Sequence, residues 1–475
     1  MSRIYISAAH KSSGKTTISI GLCAAFSQQG LKVQPFKKGP DYIDPLWLAQ
    51  ASGLSHDNSH IKGCYNLDFN TQSNDEIIQT VAQNSIEKDI SIIEGNVGLY
   101  DGVALDGSDS NAAMAKLTES PVILVIDTRG VTRGVAPLLL GYQQFDPEVK
   151  IAGVIYNLSA GGRHEQKLRA VTEEYTDIPV LGVVKKNALM EVDERHLGLM
   201  PSNEARGTTQ KINNIAKMVA DSVDLSKILE IARLAPHLQS KPVAPINISE
   251  KSKVRLGICE DSAFGFYYTG DKQALQNAGA ELVTINTLTD HALPDDIDGL
   301  FIGGGFPETH LQELAENTSM RDSIYQAIEN GLPTYAECGG LMYLSEKINW
   351  EGQSASMVGI IPAEAEMHDK PQGRGYVKLE ETDNMLWESS NNASSAHQLV
   401  NAHEFHYSCL TNLSEKGKFA YKVKRGVGIT GEYDGWVYKN LLANYAHMRN
   451  TDSYPWAERF VNFIRKNILE KSKDL

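Results

Sequence analysis

Short runs of aliphatic and β-branched residues recur through the first half of the chain, at 4–8, 33–36, 90–93, 122–126, 151–156 and 180–184. They are continuously apolar rather than alternating, which predicts strands buried on both faces. The stretches between them, 16–29 and 164–175 among them, carry helical spacing, and Gly30 stands where the first helix should stop. Strands alternating with helices in this order predict a parallel sheet covered by helices. The period stops near 235, where Pro236, Pro242 and Pro245 cluster, and this predicts a linker at 236–252 between domains at 1–235 and 253–475. A second α/β pattern follows, with strands predicted at 256–259, 282–285, 300–302 and 333–336 and helices near 272–278 and 320–330. The reading is two open α/β sheet domains. Residues 349–431 show no period that assigns strands, and no repeat or heptad array is present.

Composition narrows the function. With 475 residues, 41% hydrophobic and 22% charged, the chain is long and apolar enough for two or three packed domains, at roughly 100–200 residues each. Lys plus Arg number 45 against 59 Asp plus Glu, a formal net charge of −14, so bulk attraction to nucleic acid or an anionic membrane is not expected. An anionic ligand must meet a local basic pocket. Cys23, Cys64, Cys259, Cys338 and Cys409 are scattered without a C-x-x-C pair, which predicts neither a disulfide framework nor a zinc site. The first residues enter a strand pattern with no signal-like basic and apolar regions, and no apolar run approaches a membrane span. A soluble cytoplasmic protein is expected.

Three loops at predicted strand ends carry chemistry. After the first strand, Ala9-His10-Lys11-Ser12-Ser13-Gly14-Lys15-Thr16-Thr17 opens a helix. Backbone N–H groups of such a turn can wrap the phosphates of ATP, with Lys15 on the β and γ oxygens and Thr16 holding Mg²⁺. Ala9 replaces the first glycine of the usual pattern. After the second strand, Phe36-Lys37-Lys38-Gly39-Pro40-Asp41-Tyr42-Ile43-Asp44-Pro45 sets two cations beside two carboxylates in a rigid loop, either a solvated turn or a place for an anionic substrate and a metal. The third, Glu94-Gly95-Asn96-Val97-Gly98-Leu99-Tyr100-Asp101-Gly102, ends an apolar strand, and Glu94 is a candidate Mg²⁺ ligand at the sheet's carboxyl edge.

In the second half, Tyr335-Ala336-Glu337-Cys338-Gly339-Gly340-Leu341 reads as strand, sharp turn and helix with a cysteine at the apex. Small neighbours permit the tight backbone, and the helix N-terminus is expected to lower the thiol pKa. Gly303-Gly304-Gly305 ends an earlier strand and can aim an N–H at an acyl oxyanion beside that of Gly339. His447, His403 and His406 are competing bases for the thiol, and separation along the chain does not choose among them.

Together these motifs resemble the cobyrinate a,c-diamide synthase family, as do Asp261-Ser262-Ala263-Phe264-Gly265-Phe266-Tyr267-Tyr268, Gly304-Gly305-Phe306-Pro307-Glu308 and His403-Glu404-Phe405-His406-Tyr407-Ser408. The likeness spans nearly the whole chain. It implies an N-terminal P-loop synthetase domain resembling dethiobiotin synthetase, followed by a triad-type class I glutamine amidotransferase domain. The implied reaction takes ammonia from L-glutamine through a thioester and adds it to carboxylates of a tetrapyrrole activated by ATP as acyl phosphates, with Mg²⁺; a homodimer is one assembly it allows. By the resemblance, Cys338 is the nucleophile and His447 its base. Ser13, Gly14, Lys15, Thr16 and Thr17 take the nucleotide, and Lys37, Asp41, Ile43, Asp44 and Asp101 serve the substrate and acyl phosphate, with Thr16 and Glu94 on the metal. Three positions depart from the pattern. Arg449 stands where many class I amidotransferases place a Glu two residues after the histidine, leaving the third triad member unidentified. Lys38 replaces an apolar residue and Asn96-Val97 a Val-Met-like pair, departures expected to lean toward a siroheme or sirohydrochlorin substrate. The cobyric acid synthase branch is a further alternative, disfavoured by the Gly39-Pro40-Asp41-Tyr42-Ile43-Asp44 loop. A non-catalytic nucleotide switch would predict a degraded thiol elbow, whereas Cys338 and its glycines are intact.

Overall fold

The computed structural model describes all residues except 55–60, 191, 193, 196–197, 205–206, 241–252, 389–397, 414–416 and 472–475. Most of the expected linker, 236–252, lies outside the described residues. The chain divides into two compact units, Met1–Val243 and Ala244–Leu475.

The first unit is built on seven parallel strands, β1 (Arg3–Ala8), β2 (Val33–Lys38), β3 (Tyr65–Leu67), β4 (Ile90–Glu94), β5 (Val122–Asp127), β6 (Ile151–Ser159) and β7 (Val180–Lys185), in the order β3-β2-β4-β1-β5-β6-β7. Every residue of β1, β2 and β4 is buried, which is why these strands read as unbroken runs. Helices include α1 (Lys15–Gln28), α2 (Ile43–Ala51) and α3 (Asn74–Asn84). The start of α3 is fixed by a capping box, in which the Glu76 N–H donates to Ser73 Oγ and the Ser73 N–H to Glu76 Oε2. Because β2, β4 and β1 are neighbours, the loops leaving their carboxyl ends must converge. The registers Lys37 opposite Glu94 and Ile6 opposite Glu94 fix how.

The second unit is a nine-stranded mixed sheet. Its parallel half runs Ala280–Ile285, Val254–Cys259, Gly299–Ile302, Thr334–Glu337, Leu441–Asn444. Tyr433–Tyr438, Lys418–Arg425, Gly373–Glu381 and Leu399–His406 continue it antiparallel. Much of the 349–431 region that carried no period is therefore edge and antiparallel strand: Gly373–Glu381 buries only Gly373, Val377 and Leu379. A separate four-stranded sheet takes Gln353–Ser356, Ser345–Trp350, Ile361–Met367 and Ser408–Thr411. Thr334–Glu337 lies between Gly299–Ile302 and Leu441–Asn444, so the turns after all three strands meet at one edge. No helix among the described residues is long and apolar enough to cross a membrane.

Candidate active site

In the first unit the phosphate loop enters α1 through Gly14, whose φ of +79° is left-handed and favours glycine. A Cβ there would run into Asn157 Nδ2, which donates to Ser13 O at 3.0 Å and ties the loop to the end of β6. Ser13 Oγ donates to His10 O at 2.8 Å, and Thr17 lies in the first turn of α1. Lys15 is buried; that burial, and the like charge of Lys37, pull its ammonium below the ordinary lysine value, with Glu94, Asp44 and Asp41 opposing.

The two lysines expected in a loop are instead the last residues of β2, both buried, because Lys37 pairs in register with Glu94. Lys37 Nζ contacts Asp44 Oδ2, Glu94 Oε1 at 2.9 Å and Asp41 Oδ2 at 3.9 Å. Burial alone would lower it; Asp44, Glu94 and Asp41 outweigh burial and hold it well above the ordinary value. Burial would likewise raise Asp44, but the charge and hydrogen bond of Lys37 keep its carboxyl below the usual range. Asp41, farther from the lysine, goes the other way: burial and the neighbouring Asp44 push it up to about 7. Its Oδ1 accepts the N–H groups of Ile43 and Asp44, which starts α2. Thr16 Oγ1 completes the cluster, 2.7 Å from Glu94 Oε1 and 3.2 Å from Asp44 Oδ2. Asp101 stays outside it, exposed, with Oδ2 accepting the Gly98 N–H at 3.2 Å.

Glu94 Oε2 is buried with no hydrogen-bond partner among the described residues. An orphaned carboxylate oxygen beside a threonine hydroxyl at the phosphate loop fits a hard divalent cation. No group of three or more His, Cys, Asp and Glu that could hold a metal occurs among the described residues, so such an ion would draw its other ligands from phosphates and water. The departures at Lys38 and Asn96 meet each other: Lys38 Nζ donates to Asn96 Oδ1 at 3.4 Å. Burial draws Lys38 down, with Asp68 and Asp109 opposing.

In the second unit Cys338 has φ +46° and ψ −101°, in the left-handed half of backbone space, and begins the helix Gly339–Leu344. The turn is over-determined. The Cys338 N–H donates to Asn444 O at 2.8 Å, and Cβ atoms on Gly340 or Gly305 would strike the carbonyls of Ile302 or Ala263. A Cβ on Gly339 would lie 2.9 Å from Gly305 N, and one on Gly304 2.6 Å from His447 Cε1. Cys338, Gly339, Gly304, Gly305 and His447 thus gather at one strand edge. The expected depression of the thiol pKa is overturned. Cys338 is 6% exposed, and its burial, followed by the nearby charge of Glu308, pushes the thiol up; the Gly339 N–H only partly opposes this. A short helix terminus does not outweigh removal from water.

The three histidines separate by geometry. His406 Nδ1 contacts Ser408 O at 2.7 Å and its ring stacks on Tyr445 at 4.0 Å. His403 stacks on His447, ring centres 5.0 Å apart, and burial with the charges of His447 and Arg449 holds it well below the ordinary value. His447 faces Gly304 on one side, and its Nδ1 is 3.4 Å from Glu337 Oε2. Arg449 turns away, 3.8 Å from Asp271 and over the Tyr268 ring. Sequence reasoning gave no role to Glu337, Asn157 or Asp434, the last accepting three N–H groups from Gly435, Tyr445 and Ala446 ahead of His447. The strand-end positions of Asn157 and Glu337, the latter inside the thiol-elbow motif, were the signals available in the sequence.

A phosphate loop with a buried Lys-carboxylate cluster on one unit, and a thiol elbow on the other, define the class: a nucleotide-binding domain joined to a glutamine amidotransferase domain. Residues 5–199 match the CobQ/CobB/MinD/ParA nucleotide binding domain and 255–453 the CobB/CobQ-like glutamine amidotransferase domain. A protein of Magnetococcus marinus named cobyrinate a,c-diamide synthase is 41% identical over 98% of this chain and 97% of its own length. Proteins of the same name from Archaeoglobus fulgidus (38%, covering 98% of each chain) and Listeria monocytogenes serotype 4b (38%, covering 94% of this chain and 96% of the relative) are similarly alike. The chain belongs to the cobyrinate a,c-diamide synthase family.

Proposed function

We propose that this protein is an ATP-driven, glutamine-dependent ligase that converts the a and c acetate carboxylates of a cobyrinate-type tetrapyrrole to carboxamides. The observation that carries the reading is similarity over nearly the full length to proteins named for that reaction, supported by the phosphate loop of the first unit and the cysteine elbow of the second. In the second unit, His447 takes the Cys338 proton as Sγ attacks the glutamine carboxamide. The C–N bond breaks, the proton passes to the leaving nitrogen, and water then cleaves the thioester to glutamate. Gly339 and Gly304–Gly305 supply N–H groups for the oxyanion. In the first unit the backbone around Ser13 and Gly14 wraps the phosphates, and Lys15, with Thr17 beside it, compensates their charge. A substrate carboxylate, aligned by Lys37, Asp41, Ile43, Asp44 and Asp101, takes the γ-phosphoryl group and releases ADP. Ammonia then displaces phosphate to give the amide. Thr16 and Glu94 would hold Mg²⁺, which would supply charge neutralisation for the phosphoryl oxygens.

The siroheme and sirohydrochlorin reading is not favoured: the relatives carry the cobyrinate name, and Lys38 is engaged by Asn96. The test supplies ATP, Mg²⁺ and glutamine with cobyrinate, sirohydrochlorin or siroheme in separate reactions and reads the mass change of carboxyl to carboxamide. Two amidations of cobyrinate are expected. ATP hydrolysis with no amidation of any of the three would refute the reading.

A further inference from the structure

Where many class I amidotransferases carry a Glu two residues after the histidine this chain has Arg449, which lies 3.8 Å from Asp271, so the question is what holds His447. The residue immediately before the nucleophile answers it. Glu337 closes the strand Thr334–Glu337, is 3% exposed, and directs Oε2 to within 3.4 Å of His447 Nδ1. Its other oxygen is fixed: Oε1 accepts Tyr335 Oη at 2.6 Å and the Met448 N–H at 2.9 Å. The second of those donors is the residue following His447, so one carboxylate hydrogen-bonds the backbone of the histidine segment and stands 3.4 Å from its ring. The far face of the ring is covered by His403, whose backbone exchanges hydrogen bonds with that of His447. Nothing about this arrangement needs the Glu two residues downstream.

We infer that Glu337 is the positioning residue of the glutaminase site, holding His447 Nδ1 so that Nε2 is presented to Cys338 and stabilising the imidazolium that forms when the thiol proton is taken. This rests on the Cys338–His447 glutaminase reading above. A distance of 3.4 Å is slightly long for a formed hydrogen bond, as is usual before substrate closes such a site. The charges bearing on the pair are Glu308, Glu337 and Asp434 around the thiol, and His403 with its neighbour Arg449 beside the imidazole.

Glu337→Gln separates two roles of opposite sign. Its amide oxygen can keep the Tyr335 and Met448 hydrogen bonds while the charge facing His447 is lost. If Glu337 were only a negative neighbour of Cys338, removing it would ease ionisation of the thiol, and iodoacetamide would alkylate Cys338 at lower pH. If it acts through His447, the alkylation profile moves to higher pH instead. Glutamine-dependent turnover then falls about 100-fold in kcat with KM for glutamine little changed, the size expected for impairing a general base. Ammonia-dependent amidation by the same full-length variant stays at the wild-type rate and reports an intact fold. An alkylation profile unmoved or shifted to lower pH, or unchanged glutamine turnover, overturns the inference. Glu337→Asp, with a shorter carboxylate, should recover part of the loss. Wild-type protein with no glutaminase activity at all would instead overturn the functional reading on which the inference stands.

Discussion

Replacing Lys37 by Met tests whether the buried cation is what makes the first unit's carboxylates tolerable. Lys37 is 2% exposed, and Glu94 at 2.9 Å and Asp41 at 3.9 Å stand with Asp44 around it. At an effective dielectric constant near 20, those two distances correspond to about 6 and about 4 kcal/mol of attraction, most of it offset by desolvation. Methionine keeps the length of the side chain and leaves the buried Glu94 and the half-buried Asp44 and Asp41 without their cation, which costs about 3–5 kcal/mol. For a unit of this size, each kcal/mol lowers Tm by roughly 2–4 °C, so the first unit's transition should fall by about 6–20 °C at pH 8. The pH dependence has a definite sign. In the wild type Lys37 holds Asp44 below its ordinary value, so that pair contributes stability above the unfolded carboxyl range and loses it as pH falls. Without Lys37 the carboxyls rise, and their protonation relieves the defect in acid. The gap between variant and wild type should therefore be largest at pH 8 and narrow toward pH 5. Calorimetry of the full chain at several pH values measures it, with glutaminase turnover at Cys338 as the internal control. A gap under about 0.5 kcal/mol at pH 8, or one that does not narrow in acid, refutes the reasoning.

Cys338→Ala should abolish glutamine-dependent amidation while ammonium salts still support it, and Lys15→Ala should do the reverse, retaining glutamine hydrolysis; both are read by amide and glutamate formation. Gly14→Ala forces a left-handed φ on alanine, at about 1–2 kcal/mol, and displaces Asn157 from Ser13 O, at about 0.5–1.5 kcal/mol more. ATP affinity measured by titration calorimetry should drop at least tenfold, and adding Asn157→Ala should worsen it by less than the single change predicts. Asp41 is raised to about 7, so its protonated form contributes stability present below the unfolded carboxyl value and lost as pH climbs through about 7. Asp41→Asn should therefore stabilise the protein relative to wild type at pH 8 and not at pH 4, read as the difference in Tm.

The elements legible in the sequence are those whose burial is two-sided. Strands β1, β4, β5 and β6 announce themselves because β1 and β4 are buried throughout and β5 and β6 at most positions, and the phosphate loop and thiol elbow because turn residues sit at their ends. Strand β3, three residues at the sheet's edge, leaves no period to detect. The end of β2 misleads for a physical reason: consecutive lysines look solvated, and only the register with Glu94 supplies the counter-charge that lets Lys37 be buried. The thiol misleads similarly, since a local helix terminus is visible in sequence and the burial that overrides it is not.

Glu337 shows why the remainder was hidden. It stands inside the most recognisable motif of the second half, yet its partners are a backbone N–H and a ring brought to it by the pairing of Thr334–Glu337 with Leu441–Asn444. Strand pairing between distant segments is a property of the sheet, and no spacing rule encodes it. The same pairing makes the two chemistries separable. The described partners of Lys37 all lie in the first unit, and Tyr335, His447 and Met448, which face Glu337, lie in the second. The described partners of Lys37 and of Glu337 each lie within one unit, so a variant that empties one of these networks leaves the other's described partners standing. That is the physical ground for expecting ammonia to rescue Cys338→Ala and Glu337→Gln, and for expecting it to rescue neither Lys15→Ala nor Lys37→Met.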